Sequence, residues 1–142
     1  MKPTLVTEGE FTGWQTWPEE TFEYESAGPF YCRVDDQGPV AAFRAGRKHM
    51  NAGGVVHGGC LMAFADYTLF AIANTNMEGV YGVTVAFTSE FLDGAKEGEL
   101  IEARGEVLRE GRSLTFVRGL VTSNGRPVLN FSGTLKIRKS ET

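Results

Sequence analysis

The sequence predicts an α+β fold in which a curved antiparallel sheet wraps around one long buried central helix. Three observations lead there. Residues 60 to 73 form an apolar stretch interrupted only by Asp66, Tyr67 and Thr68. Residues 83 to 91 alternate apolar and polar side chains, the period of a strand with two unlike faces. Turn signals at Asp36-Gln37-Gly38, Glu110-Gly111 and Asn124-Gly125 divide much of the remainder into segments of strand length.

Taken in chain order, residues 1–29 are an extension that mixes Phe11, Trp14, Trp17, Phe22 and Tyr24 with Glu8, Glu10, Glu19, Glu20, Glu23 and Glu25. Pro18 suits the start of a short helix. The extension either packs over the body of the domain, which is the expectation, or closes as a lid on a pocket. Phe30 to Asp35 and Val40 to Ala45 flank the first turn signal and form a hairpin. From 57 to about 74, Leu61, Phe64, Ala65, Leu69 and Ile72 with their apolar neighbours put hydrophobic side chains all the way round a helix, which places it in a core. The stretch falls short of the ~20 residues that a bilayer requires.

In the next segment Val83, Val85, Phe87, Ser89 and Phe91 alternate with Thr84, Ala86, Thr88 and Glu90, a strand with one apolar face. Glu99 to Arg109, Arg112 to Ser123 and Arg126 to Lys139 complete the sheet. With two-residue turns between them, Phe116 falls between Gly105 and Gly133, an aromatic cover for glycines in a bent sheet.

The 142 residues suffice for a single domain with its own core, 30–139 after the extension, and contain no repeat or linker. A net charge of −4 argues against a general nucleic-acid binder. Basic residues nevertheless gather late in the chain: Arg104, Arg109, Arg112, Arg118, Arg126, Lys136, Arg138 and Lys139. Cys32 and Cys60 form no metal or redox motif and read as small packed hydrophobes. The start Met1-Lys2-Pro3 lacks the apolar core of a signal peptide, so a cytoplasmic location is expected. The two histidines, His49 and His57, stand in no metal-ligand spacing, and no nucleophile elbow, phosphate-binding loop or dinucleotide fingerprint is present.

An ionised Asp66 in a core helix costs several kcal/mol unless it is paired or solvated. It is therefore either a polar group satisfied by Thr68, Tyr67 or a backbone amide, or one held for chemistry. Gly58 and Gly59 at the start of the same helix favour chemistry: their unobstructed N–H groups sit at the positive end of the helix dipole, suited to an oxyanion. Gly53-Gly54 already provides a turn, so the second glycine pair is surplus to it. Gly58 and Asp66 are separated by about 12 Å along a helix, too far for one carbonyl to touch both. If both act on one substrate, Asp66 comes from a second copy, which implies a homodimer with shared sites.

The pattern Asn-x-x-Gly-x-x-His-Gly-Gly with an Asp nine residues after the His is filled here by Asn51, Gly54, His57, Gly58, Gly59 and Asp66. It resembles the hotdog-fold acyl-CoA thioesterases of the phenylacetyl-CoA thioesterase (PaaI-like) group. Gly82-Val83-Thr84-Val85 looks like the strand that supplies a Ser or Thr beside the catalytic carboxylate, and Glu110-Gly111-Arg112-Ser113-Leu114 resembles the basic hairpin that follows. The likeness spans residues 30–139.

It implies thioester hydrolysis, in which Gly58 N–H, helped by Gly59 or Asn51, polarises the carbonyl while Asp66 activates water or attacks. Thr84 would orient the water or the carboxylate. His57 is a weaker choice as base, because the helix dipole disfavours imidazolium there. Arg112, and after it Arg138 and Lys139, suit the phosphates of coenzyme A. Met62, Phe64, Tyr67, Phe70 and Phe87 permit an aromatic or a medium-chain acyl group. No metal or organic cofactor is expected, coenzyme A entering only as part of the substrate, and no nucleic acid or membrane partner. The expected assembly is a homodimer, paired into a dimer of dimers. The other readings are a hydratase or dehydratase on the same fold, for which the helix lacks a suitably placed His, and a non-catalytic acyl-CoA-binding protein, which has no need of Asp66.

Overall fold

The computed structural model describes residues 2–73 and 80–139. Its strands are β1 (Thr4–Leu5), β2 (Gln15–Thr16), β3 (Tyr31–Asp35), β4 (Gly38–Arg44), β5 (Val80–Phe91), β6 (Leu100–Glu110), β7 (Leu114–Ser123) and β8 (Arg126–Lys139). They form one antiparallel sheet in the order β1-β2-β3-β4-β6-β7-β8-β5. Helix α1 (Gly58–Ile72) packs across β3 to β8. Residue 74, to which the sequence carries the helix, lies outside the described residues. Among the described residues no helix is long and apolar enough to cross a membrane.

The core is the space between α1 and the sheet. Leu61, Phe64, Ala65 and Leu69 enter it from the helix, and Phe30, Phe43, Ile101, Val117, Val121, Phe131 and Leu135 meet them. The rings of Phe30, Phe43 and Phe64 form a triangle with centroids 5.1, 5.2 and 4.8 Å apart, tilted pairings that suit the quadrupoles of aromatic rings.

Two expectations about side-chain direction are corrected, each by one extra residue in a strand. A bulge between Val107 and Arg109 shifts the β6–β7 register, and the connecting loop is Gly111–Ser113 rather than two residues. Phe116 consequently stands opposite Arg109 and Thr134, 38% exposed, and covers neither Gly105 nor Gly133. The glycines make room for other groups: a Cβ on Gly133 would lie 2.4 Å from Leu69 of α1, and one on Gly119 would lie 2.4 Å from Phe131. In β5 a second bulge between Thr84 and Ala86 breaks the expected apolar face. Val83 and Val85 are exposed, while Phe87 packs against the core.

The extension enlarges the sheet beyond β3 through β1 and β2. Phe11 and Trp14 join Val40 and Ala42 in a small second cluster, with Phe11 stacked on Tyr31 at 4.2 Å. The helical turn expected at Pro18 begins at Thr21 and runs to Ser26, packed against α1. A curved antiparallel sheet around a single central helix is the hotdog arrangement that the resemblance implies.

Candidate active site

The loop entering α1 is built by Asn51, whose Oδ1 accepts the N–H groups of Gly53 (2.9 Å) and Val55 (3.2 Å). Gly54, at φ 84°, takes the left-handed conformation that this turn requires. Val56 N–H then donates to Ala95 O at 2.7 Å and His57 N–H to His49 O at 2.7 Å, anchoring the chain just before the helix. His57 is the cap: its Nδ1 accepts Gly59 N–H at 2.8 Å. A Cβ on Gly59 would press within 3.0 Å of that ring nitrogen, so glycine is what allows the cap to close.

This cap sorts the expected oxyanion donors. Gly59 N–H is already committed to His57, and Asn51 has only its Nδ2 hydrogens left to offer. Gly58 N–H has no acceptor among the described residues, as befits the first residue of a helix. With Nδ1 accepting, the His57 proton sits on Nε2, so the exposed imidazole presents a donor.

Beyond its first turn, α1 leaves Met62, Ala63, Asp66 and Phe70 short of full burial at helical spacing, so the helix is not buried all round as expected but leaves one stripe open there. Asp66 lies in the middle of that stripe. Its Oδ1 accepts the Thr84 hydroxyl at 2.5 Å, across from β5. Tyr67 faces the other way: it is buried against Phe30 (5.5 Å) and Trp17 (6.3 Å), with its hydroxyl 3.5 Å from Phe30 O. Phe64 is likewise wholly buried. Of the expected pocket residues, Met62 is exposed, and Phe70 and Phe87 are half-buried against the core.

An aromatic residue not expected at the site lies beside the open donor. A Cβ on Gly58 would stand 3.0 Å from the ring of Phe91, at the end of β5.

A family profile described as the Thioesterase superfamily matches residues 53–129. The chain belongs to the Thioesterase superfamily. It is a thioester hydrolase of PaaI-like character on a hotdog fold. The matched segment begins at the Asn51 loop, includes all of α1 and extends into β8. No curated protein matches the chain in sequence.

Among solved structures, the Escherichia coli PaaI protein from the phenylacetic acid degradation operon is similar with a TM-score of 0.73 at 18% identity, over 86% of this chain and 87% of that one. A variant of the phenylacetic acid degradation protein PaaI from Thermus thermophilus is similar at 0.70 and 25% identity, over 82% and 98%. A hypothetical thioesterase from Streptococcus pneumoniae, solved with coenzyme A, is similar at 0.67 and 21% identity, over 80% and 91%.

The thioesterase carries two site neighbours that its sequence motifs do not mark. His49 is buried, its Nδ1 accepting Gly46 N–H (2.9 Å) and its Nε2 donating to Ala27 O (2.7 Å). Burial lowers its pKa, which keeps the ring neutral as a clamp between the extension and the loop before α1. Glu23, in the Thr21–Ser26 turn, brings a second carboxyl towards Asp66. Burial, with the carboxylates of Glu20 and Asp66, pushes Glu23 up to about 7.

A carboxyl raised in the folded state binds its proton more tightly there than in the unfolded chain. Stability is therefore lost as pH rises from 4.5, the ordinary value, to about 7. Glu23→Gln is expected to be more stable than the wild type at about pH 8, by about 1 to 2 kcal/mol after allowance for the water that still reaches the group, and equal to it at about pH 4. Thermal melts of both proteins at the two pH values check this; a difference independent of pH would contradict it.

The late basic residues also separate. Arg104 pairs with Asp35 (2.6 Å), Arg118 with Glu106 (3.3 Å), and Arg126 with Asp93 (2.8 Å) and Glu99 (3.2 Å). Arg126 and main-chain and hydroxyl donors hold Glu99 down at about 2. Arg112, exposed in the β6–β7 loop, and Arg138, exposed on β8, make no ion pair among the described residues. The side chain of Lys139 lies outside the described residues.

Proposed function

We propose that the chain hydrolyses acyl-CoA thioesters, with an aromatic or medium-chain acyl group, in sites shared between two copies. The observation that carries the reading is the free Gly58 N–H at the start of α1, with the Thr84-bound carboxylate of Asp66 on the open stripe of the same helix. Gly58 N–H, in the field of the helix dipole, stabilises the oxyanion that forms as the thioester carbonyl is attacked. The acting Asp66 takes a proton from water as the oxygen adds to the carbonyl carbon, or adds to that carbon itself. Collapse then breaks the C–S bond and releases coenzyme A thiolate, which is protonated; where Asp66 itself has added, water then cleaves the mixed anhydride, releasing the free acid and restoring the carboxylate. Thr84 holds one carboxylate oxygen and leaves the other to act.

The length of α1 supports the shared site, since about 12 Å of helix separates the two groups within one chain. Strand β5 supports it too. It is an edge of the sheet, and Tyr81, Val83 and Val85 on it are exposed; a second copy pairing there would cover both the free strand edge and these side chains. Two such dimers pairing again is the assembly that we infer.

The test of the activity is thiol release from a panel of acyl-CoA esters, and absence of turnover on all of them would overturn the reading. The coenzyme A solved with the S. pneumoniae relative supports a nucleotide-bearing substrate. Arg112 is the residue proposed to meet its phosphates, with Arg138 next. Arg112→Ala is expected to raise KM for acyl-CoA by about one to two orders of magnitude, the loss of a charge-assisted bond. A short thioester without the nucleotide should be turned over as before; equal losses on both substrates would make Arg112 structural.

A further inference from the structure

Beside the helix start lies a cavity of about 180 Å³ that the first turn of α1 shares with the extension. His57 and Cys60 line it from the helix side, Lys48 from the turn before it, and Phe22, Ser26 and Ala27 from the extension. The extension wall is tied down at two points: His49 Nε2 donates to Ala27 O at 2.7 Å, and Lys48 Nζ donates to Gly28 O at 2.5 Å. Phe22 is 57% exposed, so its ring meets whatever fills the cavity without first having to leave the core. None of these extension residues falls within the 53–129 segment matched by the family profile.

We propose that this cavity receives the tail of the acyl group and that Phe22 sets the length of tail accepted. The inference rests on thioester hydrolysis at Gly58. Gly58 is bracketed by His57 and Gly59, both of which line the cavity, so an acyl chain whose carbonyl rests on Gly58 N–H starts beside it. On the measure by which one water needs about 10–15 Å³, the volume admits a chain of several carbons. The walls are mixed: Ser26, His49 and His57 bring polar groups, of which His49 is engaged by Gly46 N–H and Ala27 O and the His57 Nδ1 by Gly59 N–H. Phe22 and Ala27 are apolar, Cys60 is kept a neutral thiol by burial, which raises it to about 11, and the Lys48 ammonium is engaged by Gly28 O.

The experiment compares kcat/KM across straight-chain acyl-CoA esters from acetyl to decanoyl for the wild type, Phe22→Trp and Phe22→Ala. Filling the cavity with Trp is expected to cut turnover of hexanoyl and longer esters by about tenfold or more and to leave acetyl-CoA within about threefold. The Ala variant should move the optimum to longer chains. A uniform change at every chain length would put the pantetheine arm in the cavity and overturn the inference, as would an unchanged profile in both variants. No turnover of any ester by the wild type would overturn the thioesterase reading and this inference with it, which distinguishes the two failures.

Discussion

Asp66→Asn is expected to lower kcat for acyl-CoA hydrolysis by about two orders of magnitude or more, with KM little changed and the fold intact. The amide keeps the size of the side chain and an oxygen to accept the Thr84 hydroxyl, the contact made at 2.5 Å in the structure. What it loses is the negative charge, and with it the capacity to take a proton from water or to attack a carbonyl. A purely structural Asp66 gives the opposite result, because a neutral amide in its place removes the cost of desolvating a charge. Turnover would then stay within a few-fold and the Tm would rise. Measuring kcat and Tm on the same variant separates the two: a large fall in rate with an unchanged melt assigns the carboxylate to catalysis, and near-wild-type turnover rejects it.

What the sequence disclosed about this site was what depends on neighbours along the chain. The apolar run that becomes α1 and the Asn124-Gly125 turn, with both residues at positive φ (46° and 83°), are local signals, and each produced its element. The motif from Asn51 to Gly59 likewise marked the entry to the helix. The division of labour inside it was not legible, because it depends on one rotamer: His57 turns its Nδ1 back onto Gly59 N–H, which leaves Gly58 as the open donor. The bulges at Val85 and Leu108 escaped for a related reason. One extra residue in a strand leaves the alternation on either side intact while exchanging its faces. Val83 and Phe87 therefore look equivalent in the sequence and lie on opposite sides of the sheet. Glu23 and Phe91 were hidden by distance along the chain: one approaches Asp66 from the extension, and the other meets Gly58 from the far end of β5. No periodicity or spacing rule connects residues that meet only once the sheet has closed around the helix.

Mixing two inactive variants is expected to restore activity. Gly58→Val places its branched side chain against the Phe91 ring, which lies 3.0 Å from the position of a Cβ there. Phe91 is exposed at the end of its strand and can move aside, so the fold should survive while the approach to the oxyanion donor is blocked. Alone, this variant and Asp66→Asn should each be nearly inactive. In a dimer of one chain of each kind, the site that takes Gly58 from the Asp66→Asn chain and Asp66 from the Gly58→Val chain has both wild-type groups, and the other site has neither. Random reassociation makes about half of the dimers mixed, each with one of its two sites restored, so the mixture should reach about a quarter of wild-type activity. If each site were instead built within one chain, every site in the mixture would lack one group, and activity would stay at the level of the separate variants. Mixed dimers first demonstrated by differential tagging make that negative result decisive, because the helix rise of ~1.5 Å per residue allows no third arrangement in which one carbonyl meets Gly58 and Asp66 of the same α1.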